Sequence, residues 1–353
     1  MNRFSHGNPS LVEPDKVSLA QVEKIVDALE IEPSDNLHVC SWEAVVVAAL
    51  QMQLRRYGDL YEYITDMNRY IAAAVNCRAQ IVVMPAFAGL LPMSAAPLAD
   101  ACLRRLASQK ETPSTLSAGS AAIGIAALGD ALAQLSDYAF DAYFHTMSTL
   151  AARHRVYIMS GSTLYFEDDS LRHRAFLFSD EGALVGCQDK ISEGPLELAL
   201  EIRPESEIKL FDTPLGPVSI LIGSDAHHFE IARVAAGLGA KILLCPAVYA
   251  DAYNPVDSTL GPNMRVQENR IYAAMSSLVG ESGLGFSLEG GGRIFAPNEL
   301  LRHKNGVAAK TNGLHQPDVA YLSLNLDRLE QIENPYTHGA NKGFMAANYD
   351  KIF

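Results

Sequence analysis

Apolar residues along this chain fall into short unbroken runs and into stripes spaced three or four apart, and the two patterns alternate. The first stripe, Val17, Leu19, Val22, Ile25, Val26 and Leu29, stands behind Ser18-x-x-Gln21, a capping box, and predicts one amphipathic helix. From Ala44 the run AVVVAAL has no polar interruption, the pattern of a strand buried on both faces. A helix from about Asp59 follows, with Leu60, Ile64, Met67, Ile71 and Val75 on one face, and then a second buried strand, IVVMP, closed by Pro85.

The alternation continues with helices near 96–108 and 130–153 and a strand over Val156–Ser160, while the Ser-, Thr-, Ala- and Gly-rich segment Thr112–Gly124 predicts a loop. Two hairpins come next. One joins AFLFS to ALVGCQ through Asp180-Glu181-Gly182, and the other joins IKLFD to PVSILI through Thr213–Gly216. A helix from about 227, the strand Lys241–Pro246, a helix near 263–273 and strands around Met275, Phe286, Ile294 and Tyr321 complete the series. With no linker and no internal repeat, this mixture predicts two mixed sheets covered by helices in one α/β domain over 44–333. A helical N-terminal extension, 1–43, precedes it and a tail, 334–353, follows.

Composition narrows the function. Lys and Arg total 28 against 41 Asp and Glu, a net charge of −13 that repels phosphate backbones and anionic headgroups, so neither nucleic acid nor membrane is an expected partner. The longest weakly polar stretch, Ala118–Leu128, is too short to span a bilayer, and the N-terminus has no apolar core of a secretion signal. Five scattered cysteines without a C-x-x-C pair point to a reduced, cytoplasmic setting.

Several segments, taken in order, resemble the carbon–nitrogen hydrolase (nitrilase) superfamily. They are VAALQM near 47–52, VVMP-x-F at 82–87, RAFLFSDEGALVGCQDK at 174–190 and FDTPLGPVSILI at 211–222. The series continues with Asp225, Glu230 and Arg233, GAKILLCPA at 239–247, and Arg265, Glu268, Asn269 and Tyr272. The resemblance implies a four-layer αββα sandwich that pairs through its helices into dimers or larger homo-oligomers. It also implies a chemistry: a Cys thiolate attacks an amide, nitrile or carbamoyl carbon, a Glu moves the proton, and a Lys stabilises the developing charge.

Carried over residue by residue, the resemblance places Lys190 at the family's lysine and Glu197 at a second, supporting glutamate. It places Ala86 at the family's Glu position and Gly223 at its Cys position. An alanine methyl takes no proton and a glycine offers no nucleophile. Sliding the alignment by one would put Ser224 at the nucleophile, but would break the Asp225, Glu230 and Arg233 register and require a gap. The surroundings have also changed, with Ser224, His227 and His228 where the family carries aromatic, acidic and aromatic residues.

Plainer readings stand beside these. Lys190 alone would be a solvated lysine, and the acidic segment holding Glu197 could be a solvated face. The set His227, His228 and Glu230 lacks a third converging metal ligand, so no metal and no cofactor are expected. Cys245 in LLCPAV is a buried strand residue. Gly290-Gly291-Gly292 suggests a hairpin turn rather than a phosphate cradle. Trp42 and the tail aromatics Tyr336, Phe344, Tyr349 and Phe353 are packing elements or partner contacts. The main expectation is a non-hydrolytic homologue that binds a small amide- or carboxylate-type ligand or serves as a structural or regulatory subunit. The alternatives are an active hydrolase with a relocated nucleophile (Ser224, Cys245 or a histidine) and a scaffold acting through its terminal segments.

Overall fold

Ser18 begins the first helix, α1 (Leu19–Asp27): its Oγ accepts from the Gln21 N–H at 3.3 Å while Gln21 Oε1 accepts from the Ser18 N–H at 2.8 Å. Two donors that a helix start leaves unpaired are thereby satisfied. The computed structural model describes residues 16–39, 41–97, 99–100, 118–250, 259–281 and 287–332, with Gly343 and Ala347. After α1 come β1 (Val45–Gln53), α2 (Leu60–Asn76), β2 (Ile81–Val83), α3 (Ala118–His154), β3 (Tyr157–Glu167), β4 (Ser170–Phe178), β5 (Leu184–Asp189) and α4 (Pro195–Ala199). The second half holds β6 (Val218–Ile220), α5 (Phe229–Leu238), β7 (Ile242–Ala250), α6 (Met264–Asn269), β8 (Tyr272–Glu281), β9 (Ser287–Glu289), β10 (Arg293–Phe295), β11 (Val307–Lys310), β12 (Asp318–Leu324) and α7 (Leu326–Glu330).

The order β12-β1-β2-β3-β4-β5 makes one sheet, and β6-β7-β8-β10-β11 makes the other. They are not separate. Gln51–Gln53 at the end of β1 run parallel to Ser277–Val279 of β8, which joins both into one 12-stranded hydrogen-bonded path. Alternate residues of β1 sort to opposite faces: Val45, Val47 and Ala49 enter the interior between the sheets, while Ala48, Leu50 and Met52 face the helices. The interior is filled from both sheets, with Ile81, Val83, Met159 and Leu177 on one side and Val218, Ile220, Ile242 and Leu244 on the other. Helices α1, α2 and α3 cover the first sheet and α5 and α6 the second. The result is a four-layer αββα sandwich. Complete burial of strand faces explains why β1 and β2 read as unbroken apolar runs.

Several expectations change. Residues 118–124 belong to α3 rather than to a loop: alanine is the strongest helix former, and the helix's long packed stretch offsets the cost of a few Gly and Ser residues at its start. The remainder of that segment, most of the helix near 96–108, Phe286 and the tail aromatics lie outside the described residues. The helix near 263–273 stops at Asn269, where Arg270 turns left-handed (φ 55°) so that Tyr272 can pair with Ile242. The second hairpin is reduced to one bridge, Phe211 to Val218, closed by the Thr213 Oγ1–H donating to Gly216 O at 2.7 Å. Glycines 290–292 are not a turn between strands. Leu288 lies opposite Gly280 and Arg293 opposite Met275, a single unbroken register, so the glycines sit in line within a segment that runs antiparallel to β8. A Cβ at Gly290 would fall 2.7 Å from Ser277 Cβ and one at Gly292 3.0 Å from Ala49 O, so both positions are too crowded for a side chain, whereas Gly291 has ordinary space around it.

Gly161, just past the paired start of β3, has φ +79°, and a Cβ there would lie 2.1 Å from Pro85 O. Gly161→Ala is therefore expected to destabilise by about 3 kcal/mol through strain and overpacking. Gly237→Ala, on α5 with nothing within 4 Å, should stabilise by about 0.5–1 kcal/mol. Urea unfolding midpoints of the two variants test both signs.

Candidate functional site

The β4–β5 hairpin ends in Lys190, and its register decides what Lys190 faces. Arg174 pairs with Asp189, so the next step places His173 across from Lys190, whose N–H donates to His173 O at 2.8 Å. The chain then turns through Ser192 into the short helix α4, which brings Glu197 back. Between β6 and α5, residues 223–227 form a tight turn that opens with Gly223 in the left-handed region (φ +54°). The carboxylate of Asp225 clamps this turn to the hairpin. It accepts from the N–H of Ser192 at 2.7 Å, of Ile222 at 3.2 Å and of Ile191 at 3.3 Å. A Cβ built on Gly223 would point to Lys190, with Lys190 Cε at 3.8 Å and no other neighbour within 4 Å.

Lys190 is buried, and its ammonium is spent on protein acceptors. Nζ donates to the Ser192 carbonyl and to Ser192 Oγ at 3.1 Å, and it forms an ion pair with Glu197 Oε2 at 3.4 Å. Burial alone would raise the Glu197 carboxyl. The His173 hydrogen bond and the Lys190 charge outweigh burial and hold it down to about 2. Glu197 is therefore an acceptor only, so His173 Nδ1 at 3.2 Å must carry the proton. Burial keeps the His173 ring neutral by lowering its pKa, which leaves Nε2 to accept from the Ser162 hydroxyl at 2.8 Å. Ser162 Oγ in turn accepts from the Phe87 N–H at 3.0 Å, and the Phe87 ring stacks on His173 with centroids 4.7 Å apart. A second chain leaves Lys190 on the other side: Ser192 Oγ lies 2.8 Å from Ser224 Oγ.

The structure thus brings Lys190, Glu197, Gly223 and Ser224 together. Ala86, buried at the end of the segment after β2, joins them through its neighbour Phe87. It does not bring in the other candidates. His227 and His228 are exposed, and Cys245 is packed in the apolar layer beneath α5, where burial pushes its thiol up. A cleft of about 470 Å³ bordered by Asp35, Arg155, Asp180 and Glu181 lies at the turn end of the same hairpin, away from Lys190. Ser162, His173 and Ser192 escaped the sequence reading. Counting pairs outward from the hairpin turn would have found His173, whereas nothing local marks Ser162 or Ser192.

This four-layer fold, with a buried lysine–glutamate pair beside the β6–α5 turn, defines a class of α/β sandwich. The family model for carbon-nitrogen hydrolase matches residues 46–333, and the chain belongs to that family. Among curated relatives, the probable hydrolase YhcX of Bacillus subtilis is 24% identical over 275 residues, covering 76% of this chain and 47% of that protein. The omega-amidase NIT2 of Danio rerio is 24% identical over 139 residues, covering 37% of this chain and 50% of its own. This chain spans about half the length of the curated relatives it matches. Among solved structures, the carbon-nitrogen hydrolase from Helicobacter pylori G27 superposes with TM-score 0.63 at 16% identity, covering 86% of this chain and 98% of that one. A variant of the amidase from Nesterenkonia sp. AN1 gives 0.58 at 18% identity, covering 87% and 98%. Among the described residues no helix is long and apolar enough to cross a membrane.

Removing one partner of a buried ion pair leaves an uncompensated charge, so Glu197→Gln should cost about 3 kcal/mol at neutral pH. The Glu197 carboxyl is lowered from 4.5 to about 2 on folding, so its contribution is full above pH 4.5 and is lost as the pH falls toward 2. The stability gap between the parent and Glu197→Gln should close over that window. A gap that stays constant with pH in chemical denaturation would contradict this account.

Proposed function

We propose that this chain is a carbon–nitrogen hydrolase homologue that has lost the family's thiol chemistry and keeps a pocket for a small amide- or carboxylate-type ligand. The observation that carries the reading is the geometry at Gly223. Its side-chain position faces Lys190 from a left-handed turn, as a nucleophile would have to, yet it holds no atom that can attack. Ala86, at the position the resemblance gives to the family's glutamate, offers no base. Without a nucleophile no covalent thioester forms, however well an amide is positioned. The retained Lys190–Glu197 pair supports a binding or regulatory role for the same pocket, in a cytoplasmic homo-oligomer without a cofactor.

A second reading, an active hydrolase with a relocated nucleophile, draws on Ser224, whose Oγ reaches Lys190 through Ser192. Cys245 and His228 have no such link among the described residues.

The purified protein is expected to release no ammonia above background from a panel of amides, nitriles and N-carbamoyl compounds. Turnover that disappears in Lys190→Ala would overturn the proposal. The double variant Ala86→Glu with Gly223→Cys should gain a thiol that iodoacetamide alkylates, together with weak amide hydrolysis.

A further inference from the structure

Ser162, His173 and Glu197 stand in a row with the spacing of a nucleophile, its base and the acid that orients the base. Ser162 Oγ lies 2.8 Å from His173 Nε2, and His173 Nδ1 lies 3.2 Å from Glu197 Oε1. The tautomer that removes a proton is the one present. Ionised Glu197 takes the Nδ1–H, so the neutral ring turns its Nε2 lone pair to the Ser162 hydroxyl. The residues come from separate elements: Ser162 from β3, His173 from β4 and Glu197 from α4.

The backbone around the serine is shaped for this direction. The β3–β4 register shifts between Met159 and Ser162, and Gly161 within the irregularity is left-handed (φ +79°). A bulge of this kind re-aims a side chain of its strand. Phe87 is also left-handed (φ 61°), uncommon for a bulky residue; its N–H donates to Ser162 Oγ at 3.0 Å and its ring stacks on His173. Ser162, His173 and Glu197 are buried, whereas Phe87 is partly exposed, so its ring is the member of this group that reaches solvent. Apolar side chains fill neighbouring positions of the same strands, Ile158, Met159, Ala175 and Leu177, and would serve packing here without the cost of burying polar groups.

We propose that Ser162, His173 and Glu197 form a serine-hydrolase triad for small oxygen esters, roofed by the Phe87 ring. Ser162 and His173 are the catalytic residues, and Glu197 is a positioning residue that acts through His173. Ser162 Oγ attacks the acyl carbon while its proton passes to His173 Nε2. The C–O bond to the alcohol then breaks as Nε2 returns that proton to the leaving oxygen, and an acyl-serine remains. Water, activated by the same nitrogen, hydrolyses the acyl-serine to a carboxylic acid and restores Ser162. An alkoxide departs with less help than an amide nitrogen, so this activity is compatible with no release of ammonia from amides. Neither Gly223 nor Ser224 takes part in these steps.

The test treats the full chain with a fluorophosphonate, which loses fluoride to an activated serine, and maps the modified peptide; p-nitrophenyl acetate hydrolysis is followed in parallel. The parent should carry the phosphonyl group on Ser162 and hydrolyse the ester. Ser162→Ala should abolish both, and Ser162→Cys should be alkylated by iodoacetamide at that position. Phe87→Gly removes only the ring, because glycine adopts the left-handed turn freely and keeps the N–H on Ser162. Phosphonylation should then be about tenfold faster or more, as expected when a roof opens only in a minor state. Among the described residues, Glu197 on α4, Lys190 at the end of β5 and Asp225 in the turn after β6 are the charges that act on the His173 ring. Glu197 raises the ring's pKa, so Glu197→Gln should slow phosphonylation and move the midpoint of its pH profile lower, a shift that a merely structural glutamate would not cause. Ester hydrolysis unchanged in Ser162→Ala, or no phosphonylation of Ser162 in either the parent or Phe87→Gly, overturns the proposal.

Discussion

Asp225 is buried in the turn after β6, and its carboxylate gathers the N–H groups of Ile191, Ser192 and Ile222. Two of those groups belong to the end of the β4–β5 hairpin, more than thirty residues earlier in the chain. A carboxylate that accepts several backbone donors out of water is held firmly, and so are the segments that donate to it. Everything that defines the site hangs on this clamp. It puts Lys190 against Gly223 and lets Ser192 reach Ser224. Substituting Asp225 with an apolar residue would strand three backbone donors at once, a larger cost than losing any single hydrogen bond around Lys190.

From the clamped lysine, the polar interior extends in two directions. One arm runs through Glu197, His173 and Ser162 to the backbone of Phe87. The other runs through Ser192 to Ser224. In the first arm every donor finds an acceptor: the ionised carboxylate fixes the His173 tautomer, the neutral ring orients Ser162, and Ser162 caps the Phe87 N–H. A buried network that is complete in this way is rigid, since breaking any link would expose an unpaired group to a dry surrounding. The second arm ends at a half-buried hydroxyl, that of Ser224.

The sheet explains why these arms meet. β3, β2, β1, β8, β7 and β6 run parallel, so the segments leaving β2 and β6 emerge at the same edge, where ligand sites of parallel sheets form. Ala86 and Phe87 come from the first of these exits, Gly223 and Ser224 from the other. Cys245 lies inside β7 instead, packed on the face covered by α5.

Much of the architecture was legible in the chain itself, because burial on both faces, helical stripes and turn residues are local signals. The AVVVAAL and IVVMP runs, the Ser18 cap and the Asp180–Gly182 turn each announced their element. Where local signals compete, the sequence misleads: an Ala- and Gly-rich helix start resembles a loop, and three successive glycines resemble a turn, because only the neighbouring strands show that a side chain at Gly290 or Gly292 would be crowded. In the site, residue identity alone fixed that positions 86 and 223 carry neither base nor nucleophile. The partners of Lys190 were decided by the tertiary structure, since His173 arrives by hairpin register, Glu197 by a short helix turning back, and Ser224 by the Asp225 clamp. Donor and acceptor roles depend on which groups stand within about 3 Å, and that distance is set by packing between segments far apart in sequence.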